Sequence, residues 1–383
     1  MAENKIKYRF LDLKAANERY MENLRSAAVG VIDSGRYIGG AEVDALNTQM
    51  AQLCQAPHAI GVSNGLDALR LIFEAYKVLG RLKDGDEIIL PTNTFIATAL
   101  AITHSGLKPV FVDPDETTMN LSAEGISKAL SSRVKAVVLV DLFGRVCWDE
   151  KIAQIIRDNN LIAIEDAAQS IGARANVDGL FGSRQAGALC HAGAFSFYPT
   201  KNIGALGDAG AVVTHDDQLA AAVTALANYG SDRRYHNVYA GFNCRLDPIQ
   251  AAMLRVKIAD TDNANARRYA RAVAYERHIN NSHIIKPLMP CQPTQCVWHQ
   301  YVIRIAADKR EAFREYLLEN GVETDIHYPT PCHMQPCYAD MPHGPLPVSE
   351  KLALESVSLP IGDSISETES REIAEIINNF KHI

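Results

Sequence analysis

The chain has 383 residues, 47% hydrophobic and 22% charged, an ordinary globular composition that excludes a disordered or fibrous protein. Lys and Arg number 38 against 45 Asp and Glu, a formal charge of −7, so the overall charge offers no pull toward nucleic acid or an anionic membrane. No apolar run reaches the roughly 18 residues of a membrane helix, and the opening MAENKIKYRFLDLK is charged, so a soluble, cytoplasmic protein is expected.

From about Ile60 short apolar runs alternate with segments of helical period. AIGV (59–62) precedes a helix over 66–78, whose Leu66, Leu69, Ile72 and Phe73 form one face. EIIL (87–90) leads to a helix over 95–105, and PVFVD (109–113) follows the helix-stopping Gly106. AVVLVDLF (136–143), a helix over 148–158 and LIAIED (161–166) continue the pattern. Continuous hydrophobicity means strands covered on both faces, so the class is α/β with a parallel or mixed sheet between helices. Past Pro248 long helices are expected over 250–262 and 265–280, then a strand over 298–305 and helices over 309–320 and 367–380. Six prolines, from Pro329 to Pro347, crowd the loop before the last helix. The reading is a large domain over 1–250 and a small α+β domain over 251–383.

Eight cysteines are too few for a disulfide scaffold, and none has C-x-x-C spacing. PCHMQPC (331–337) has poor tetrahedral spacing, so no metal site is expected and free thiols are the plainer reading.

Three segments at strand ends carry unusual residues, where ligands gather in an open α/β sheet. SNGLDAL (63–69) is a Gly-containing turn opening a helix, and the amides of Gly65 and Leu66 suit a phosphate; simple strand-to-helix geometry would also place a glycine there. In AIEDAAQS (163–170) Glu165 and Asp166 finish a buried strand, where a carboxylate needs a cation or donors; a helix N-cap is the alternative. In FSFYPTKNIGALGDAG (195–210) Lys201 follows Phe195, Phe197 and Tyr198 and precedes Gly204, Gly207 and Gly210. An aromatic setting desolvates its amine and frees it as a nucleophile. A phosphate cradle, a buried acid and a nucleophilic lysine are the parts that pyridoxal phosphate requires. Neither G-x-x-x-x-G-K-[ST] nor G-x-G-x-x-G occurs, so ATP and NAD lack their phosphate loops.

These motifs, with GRYIGG, PTNTFIATALAI, FVDPD, NYGS, NCRLDPIQAA and HYPTPCHMQ, resemble the DegT/DnrJ/EryC1/StrS sugar aminotransferases across nearly the whole chain. The resemblance implies a fold-type I pyridoxal-phosphate enzyme, with a large mixed-sheet α/β/α domain, a small C-terminal α+β domain, and a homodimer sharing its active sites. It implies that Lys201 forms the Schiff base, Asp166 meets the pyridinium nitrogen, Gln169 lies near the ring hydroxyl and Phe95 stacks on the ring. Gly65, Leu66 and Ser196 would hold the phosphate, with Asn243 of the partner. Tyr198, Tyr235, His236, Asn237, His327, Tyr328 and His333 would face the substrate. Core packing for Phe95, and polar satisfaction for His327 and His333, are the plainer alternatives.

NGLDALRL, YHN, NxRLD and HYPxPxHxQ look like the branch that aminates C3 of a dTDP-linked 3-keto-6-deoxyhexose with L-glutamate. Asp141, Arg145 and Cys190-His191 depart from that branch, which leaves the 4-keto sugar open as an alternative. A pyridoxal-phosphate sugar dehydratase would carry histidine where Lys201 stands.

Overall fold

The computed structural model describes residues 6–381, so the first five residues of the charged opening lie outside it. Its centre is a seven-stranded sheet of β1 (His58–Val62), β2 (Glu87–Pro91), β3 (Lys108–Val112), β4 (Val134–Val140), β5 (Ile162–Asp166), β6 (Ala192–Ser196) and β7 (Gly210–Thr214). Their order across the sheet is β1-β7-β6-β5-β4-β2-β3. Pairing is parallel from β3 to β6, while β7 runs antiparallel to both β1 and β6.

Helices cover both faces, which is why the strands read as unbroken apolar runs. On one face Leu69 and Phe73 of the helix Gly65–Val78, Ile102 of Ile96–His104 and Val223 of Asp217–Ala227 pack on Ile88, Val138 and Ile164. On the other, Ile152 and Ile156 of Glu150–Asp158 meet Ile89, Val137 and Leu139, while Leu46 and Leu254 meet Phe195 and Val213. The expected α/β/α layering is present.

An antiparallel two-stranded ribbon, β8 (Ser231–Arg233) and β9 (His236–Asn237), follows the helix Asp217–Ala227. A second core gathers Tyr275, Tyr301, Ile303, Phe313, Val357, Leu359 and Ile373 around antiparallel β10 (Tyr301–Arg304) and β11 (Ser356–Leu359), and Tyr8 joins it from the N-terminal side. The helix Pro248–Ile258 contributes Ala251 and Leu254 to the sheet core rather than to this one. The strand expected over 298–305 is shorter, and β11 is not legible as a strand because only four residues separate the helix Pro347–Glu355 from a proline.

Candidate active site

The carboxyl ends of β5 and β6 meet at Asp166, which pairs in register with Val140 on one side and Ala194 on the other. Its Oδ2 accepts from Thr98 Oγ1 at 2.7 Å, and Thr98 lies 2.9 Å from the Thr94 hydroxyl. Its Oδ1 accepts from the Ala168 amide at 3.2 Å. Burial raises the Asp166 carboxyl, while these donors and the Lys201 charge pull it back. Burial pushes the Lys201 amine down to about 8, opposed by the Asp166 charge. Lys201 is half-buried, and each group's charge favours the charged form of the other while desolvation opposes it.

Beside them the helix Gly65–Val78 begins, capped by Asn64, whose Oδ1 accepts from the Asp67 amide at 2.8 Å. A Cβ on Gly65 would lie 2.6 Å from Ser196 Cβ, and one on Gly210 would lie 2.5 Å from the Asn64 backbone. Glycine at both places lets the helix start close against the ends of β6 and β7. The first-turn amides, including Gly65 and Leu66, have no partners within the helix and sit at its positive end, beside the Ser196 hydroxyl.

Tyr328 and Phe143 pack against the sheet core beside the site. Gln169 Oε1 accepts from the Phe143 amide at 2.5 Å, and its Nε2 donates to the Tyr328 hydroxyl at 3.1 Å. The Tyr328 ring lies 5.6 Å from Phe95, tilted by 47°, and Phe95 keeps 54% of its surface exposed. That exposure is unusual for a phenylalanine fixed at the start of the helix Ile96–His104. His327 pairs Nδ1 with Ser358 Oγ at 2.8 Å and stacks on Phe10 at 5.8 Å; burial lowers its pKa, with the Lys201 charge acting the same way.

Three residues around Asp166 and Lys201 escaped the sequence reading. Thr94 and Thr98 were within reach of it, being hydroxyls four residues apart in an apolar segment, one helical turn. His299 carried no signal beyond a lone histidine before a strand. Its ring, buried, is 3.1 Å from Asn202 Oδ1, and its backbone amide donates to Phe143 O at 2.9 Å. Burial, and then the charges of Lys201 and Arg268, hold the imidazole neutral.

Other candidates stand elsewhere. Glu165 points to the opposite sheet face from Asp166, as strand alternation requires, and accepts from the Gly187 and Leu189 amides at 2.6 and 3.1 Å. Asp141 is equally buried and accepts from the Cys147 amide and the Ser170 hydroxyl, both at 2.7 Å; burial raises it to about 6. Both acids anchor loops. His333 Nδ1 meets Thr92 Oγ1 at 2.7 Å and Nε2 lies 3.5 Å from Glu350, so the ring ties two segments of backbone together. Tyr235, His236 and Asn237 occupy the β8–β9 ribbon, with Tyr235 87% exposed and His236 2.6 Å from Asp232. Asn243 bridges to Asn228 near the end of β1, and Tyr198 is half-exposed on the Lys201 turn. No cluster of three metal-capable side chains occurs among the described residues, and Cys332 Sγ lies 3.3 Å from Thr94 O. No described helix is long and apolar enough to cross a membrane.

Comparison with known proteins matches the model of the DegT/DnrJ/EryC1/StrS aminotransferase family over residues 19–378. A dTDP-3-amino-3,6-dideoxy-alpha-D-galactopyranose transaminase of Aneurinibacillus thermoaerophilus is 42% identical over 97% of this chain and 99% of its own. A dTDP-3-amino-3,4,6-trideoxy-alpha-D-glucose transaminase of Streptomyces venezuelae is 38% identical, covering 97% of this chain and 95% of its own. The crystal structure of S. venezuelae DesV in complex with a ketimine intermediate superposes with a TM-score of 0.90 at 38% identity, covering 97% of each chain. With a desolvated lysine that feels the charge of a strand-end aspartate on a seven-stranded mixed sheet, these matches settle the classification: the chain belongs to the DegT/DnrJ/EryC1/StrS aminotransferase family.

Proposed function

We propose that the protein transfers an amino group from L-glutamate to C3 of a dTDP-linked 3-keto-6-deoxyhexose, using pyridoxal phosphate. The observation that carries this reading is the Lys201 amine, lowered by burial and feeling the charge of Asp166, beside a helix start. The two dTDP-3-amino-sugar transaminases among its relatives supply the sugar and the position.

The residues fit that cofactor. The close approach that glycine permits between residue 65 and Ser196 leaves unpaired amides and a hydroxyl for a phosphate. Gly65, Leu66 and Ser196 would hold the phosphate and Asp166 the pyridinium nitrogen, with Phe95 over the ring and Gln169 at its edge. Bound there, pyridoxal phosphate supplies a carbonyl that takes up an amine and a ring that absorbs the electrons left by a departing proton. An amine titrating near 8 is partly neutral at physiological pH, so Lys201 can serve as nucleophile and then move a proton as base and acid. Thr98 and the Ala168 amide favour the ionised form of Asp166, which keeps a ring nitrogen protonated. The bond between Gln169 and Tyr328 would fix both side chains beside the ring.

The small domain would begin past the helix Pro248–Ile258, which packs on the sheet core, and the enzyme would work in the cytoplasm as a homodimer. Exposed Phe95, Tyr198, Tyr229 and Tyr235 are apolar surface that a second copy can cover, bringing Asn243 and the β8–β9 ribbon toward the neighbouring site.

The test loads the protein with pyridoxal phosphate and glutamate, then offers dTDP-4-keto-6-deoxyglucose alone, or with a 3,4-keto isomerase that forms the 3-keto sugar in place. Amino-sugar formation is followed by mass spectrometry. Product only with the isomerase supports the C3 assignment; product from the 4-keto sugar alone overturns it in favour of C4.

A further inference from the structure

The turn that carries Lys201 closes on itself. Lys201 N donates to Tyr198 O and Ala205 N to Phe197 O, both at 2.8 Å, and Gly204 crowds the Pro199 carbonyl where no side chain fits. Beside the turn lies a small cleft, lined by residues 199–204 on one side and by Leu13, Lys257 and Arg268 on the other. Ile203 and Ala205 of the turn pack into the sheet core, and polar contacts add to that support. Asn202 Nδ2 donates to Val297 O at 3.0 Å, and Gln250 Oε1 accepts from the Leu206 amide at 2.9 Å. Lys257 completes the set by donating Nζ to Gly204 O at 2.5 Å. Gln250 and Lys257 lie seven residues apart on the helix Pro248–Ile258, two turns on one face, so a single helix grips both ends of the Gly204–Leu206 stretch.

Lys257 is only 6% exposed, and among the described residues no charged group offsets the burial of its amine. Burial pushes it down to about 8. An enclosed amine without an acid is unfavourable, and an apolar side chain of similar length would fill the same volume more comfortably. What the amine adds is the grip on Gly204.

We propose that Lys257 is a positioning residue for transamination: its bond to the Gly204 carbonyl fixes the turn and so keeps the Lys201 amine desolvated near Asp166. The proposal rests on Lys201 being the residue that takes the cofactor.

The primary measurement uses the cofactor-free chain: the pH dependence of Lys201 labelling, read by peptide mass spectrometry. The groups facing Lys201 are Asp166 from β5 and His299 and His327 from the second core, and all stay in place. In the parent Lys201 should titrate near 8, below its ordinary 10.5. In Lys257→Met water reaches the amine and the midpoint should rise by about one unit, with kcat lowered about tenfold and little change in KM. The melting temperature should hold or rise, since methionine removes an uncompensated buried cation. Lys257→Arg restores a donor and should bring both readings back. An unmoved Lys201 titration in Lys257→Met overturns the proposal, as does a parent that titrates at the ordinary value. Should Lys257→Met fail to fold, Lys257→Gln is compared in the same way. Failure of the positioning role shows as that unmoved titration, whereas failure of the proposed function shows as absence of pyridoxal-phosphate binding by the parent.

Discussion

The Gln169 amide donates to the Tyr328 hydroxyl beside the core of the central sheet, against which Tyr328 packs. Gln169 leaves the end of β5, three residues past Asp166, and Tyr328 lies in the loop that follows the helix Arg310–Glu319. One hydrogen bond thus joins the strand end bearing the acid to the segment that packs against Phe95. Burial raises the Tyr328 phenol, so the hydroxyl stays protonated.

Tyr328→Phe should keep the ring contact with Phe95 and leave Gln169 Nε2 unpaired. Loss of one such bond is worth about 0.5–1.5 kcal/mol, so kcat/KM should fall about three- to tenfold while pyridoxal-phosphate affinity changes little. Steady-state kinetics and a cofactor titration check this; wild-type kinetics would place the bond outside the catalytic cycle.

Asp166→Asn should separate anchoring from chemistry. The phosphate end of the site, at Gly65 and Ser196, is untouched, so the cofactor should still bind. A charge-assisted bond contributes roughly 1.5–3 kcal/mol, which sets the expected fall in kcat at about ten- to hundredfold. Undiminished transamination would remove Asp166 from its role.

Lys201→Ala should abolish turnover by removing both nucleophile and proton carrier, and the protein should no longer show the yellow colour of a covalently held cofactor. Visible spectra and a glutamate half-reaction assay decide it; normal turnover would end the proposed mechanism.

Gly65→Ala tests the cradle. The new Cβ must move 2.6 Å-close neighbours at Ser196, displacing the helix start. Overpacking of this kind costs about 1–3 kcal/mol, and cofactor affinity should weaken about tenfold or more. Thermal melting and fluorescence titration read the two effects separately, and parental affinity would show that the phosphate sits elsewhere.

Acid should destabilise the fold through its buried histidines. His299 is held well below 6.5 by burial, with Lys201 and Arg268 adding to it. Below that pH the unfolded chain takes up a proton that the folded chain refuses, so stability falls with pH, by about 1.4 kcal/mol per unit for each such group. Raised acids such as Glu165 act in the opposite sense, because the folded state holds their protons more tightly. Comparing His299→Gln with the parent isolates the histidine: urea unfolding between pH 5 and 7 should show a flatter dependence in the variant. Equal slopes would mean the ring is protonated in the fold.

The strands from β1 to β5 were legible because two-sided burial leaves an apolar run that composition alone exposes, as in Ala136 to Val140. Lys201 and Asp166 were legible because a charged group ending such a run calls for an explanation. The antiparallel direction of β7 was not, since Gly210–Thr214 reads alike in either sense and only pairing with β1 and β6 sets it. Which of Glu165 and Asp166 faces the site is fixed by the pleat, and that depends on knowing which sheet face the cofactor occupies. His299 and Lys257 depend on contacts across about 100 and 50 residues of chain, to Asn202 and Gly204, which no local pattern announces.

The pair of threonines beneath Asp166 gives the site a polarity as well as a position. An ionised carboxylate only accepts, so Thr98 must donate to it, and the Thr98 oxygen is then left to receive the Thr94 proton. Protonating Asp166 lifts that requirement and lets both hydroxyls rotate. The direction of two O–H bonds is therefore a built-in reporter of the charge on the acid, and threonine hydroxyl resonances at positions 94 and 98 would register ring protonation without any label on the cofactor.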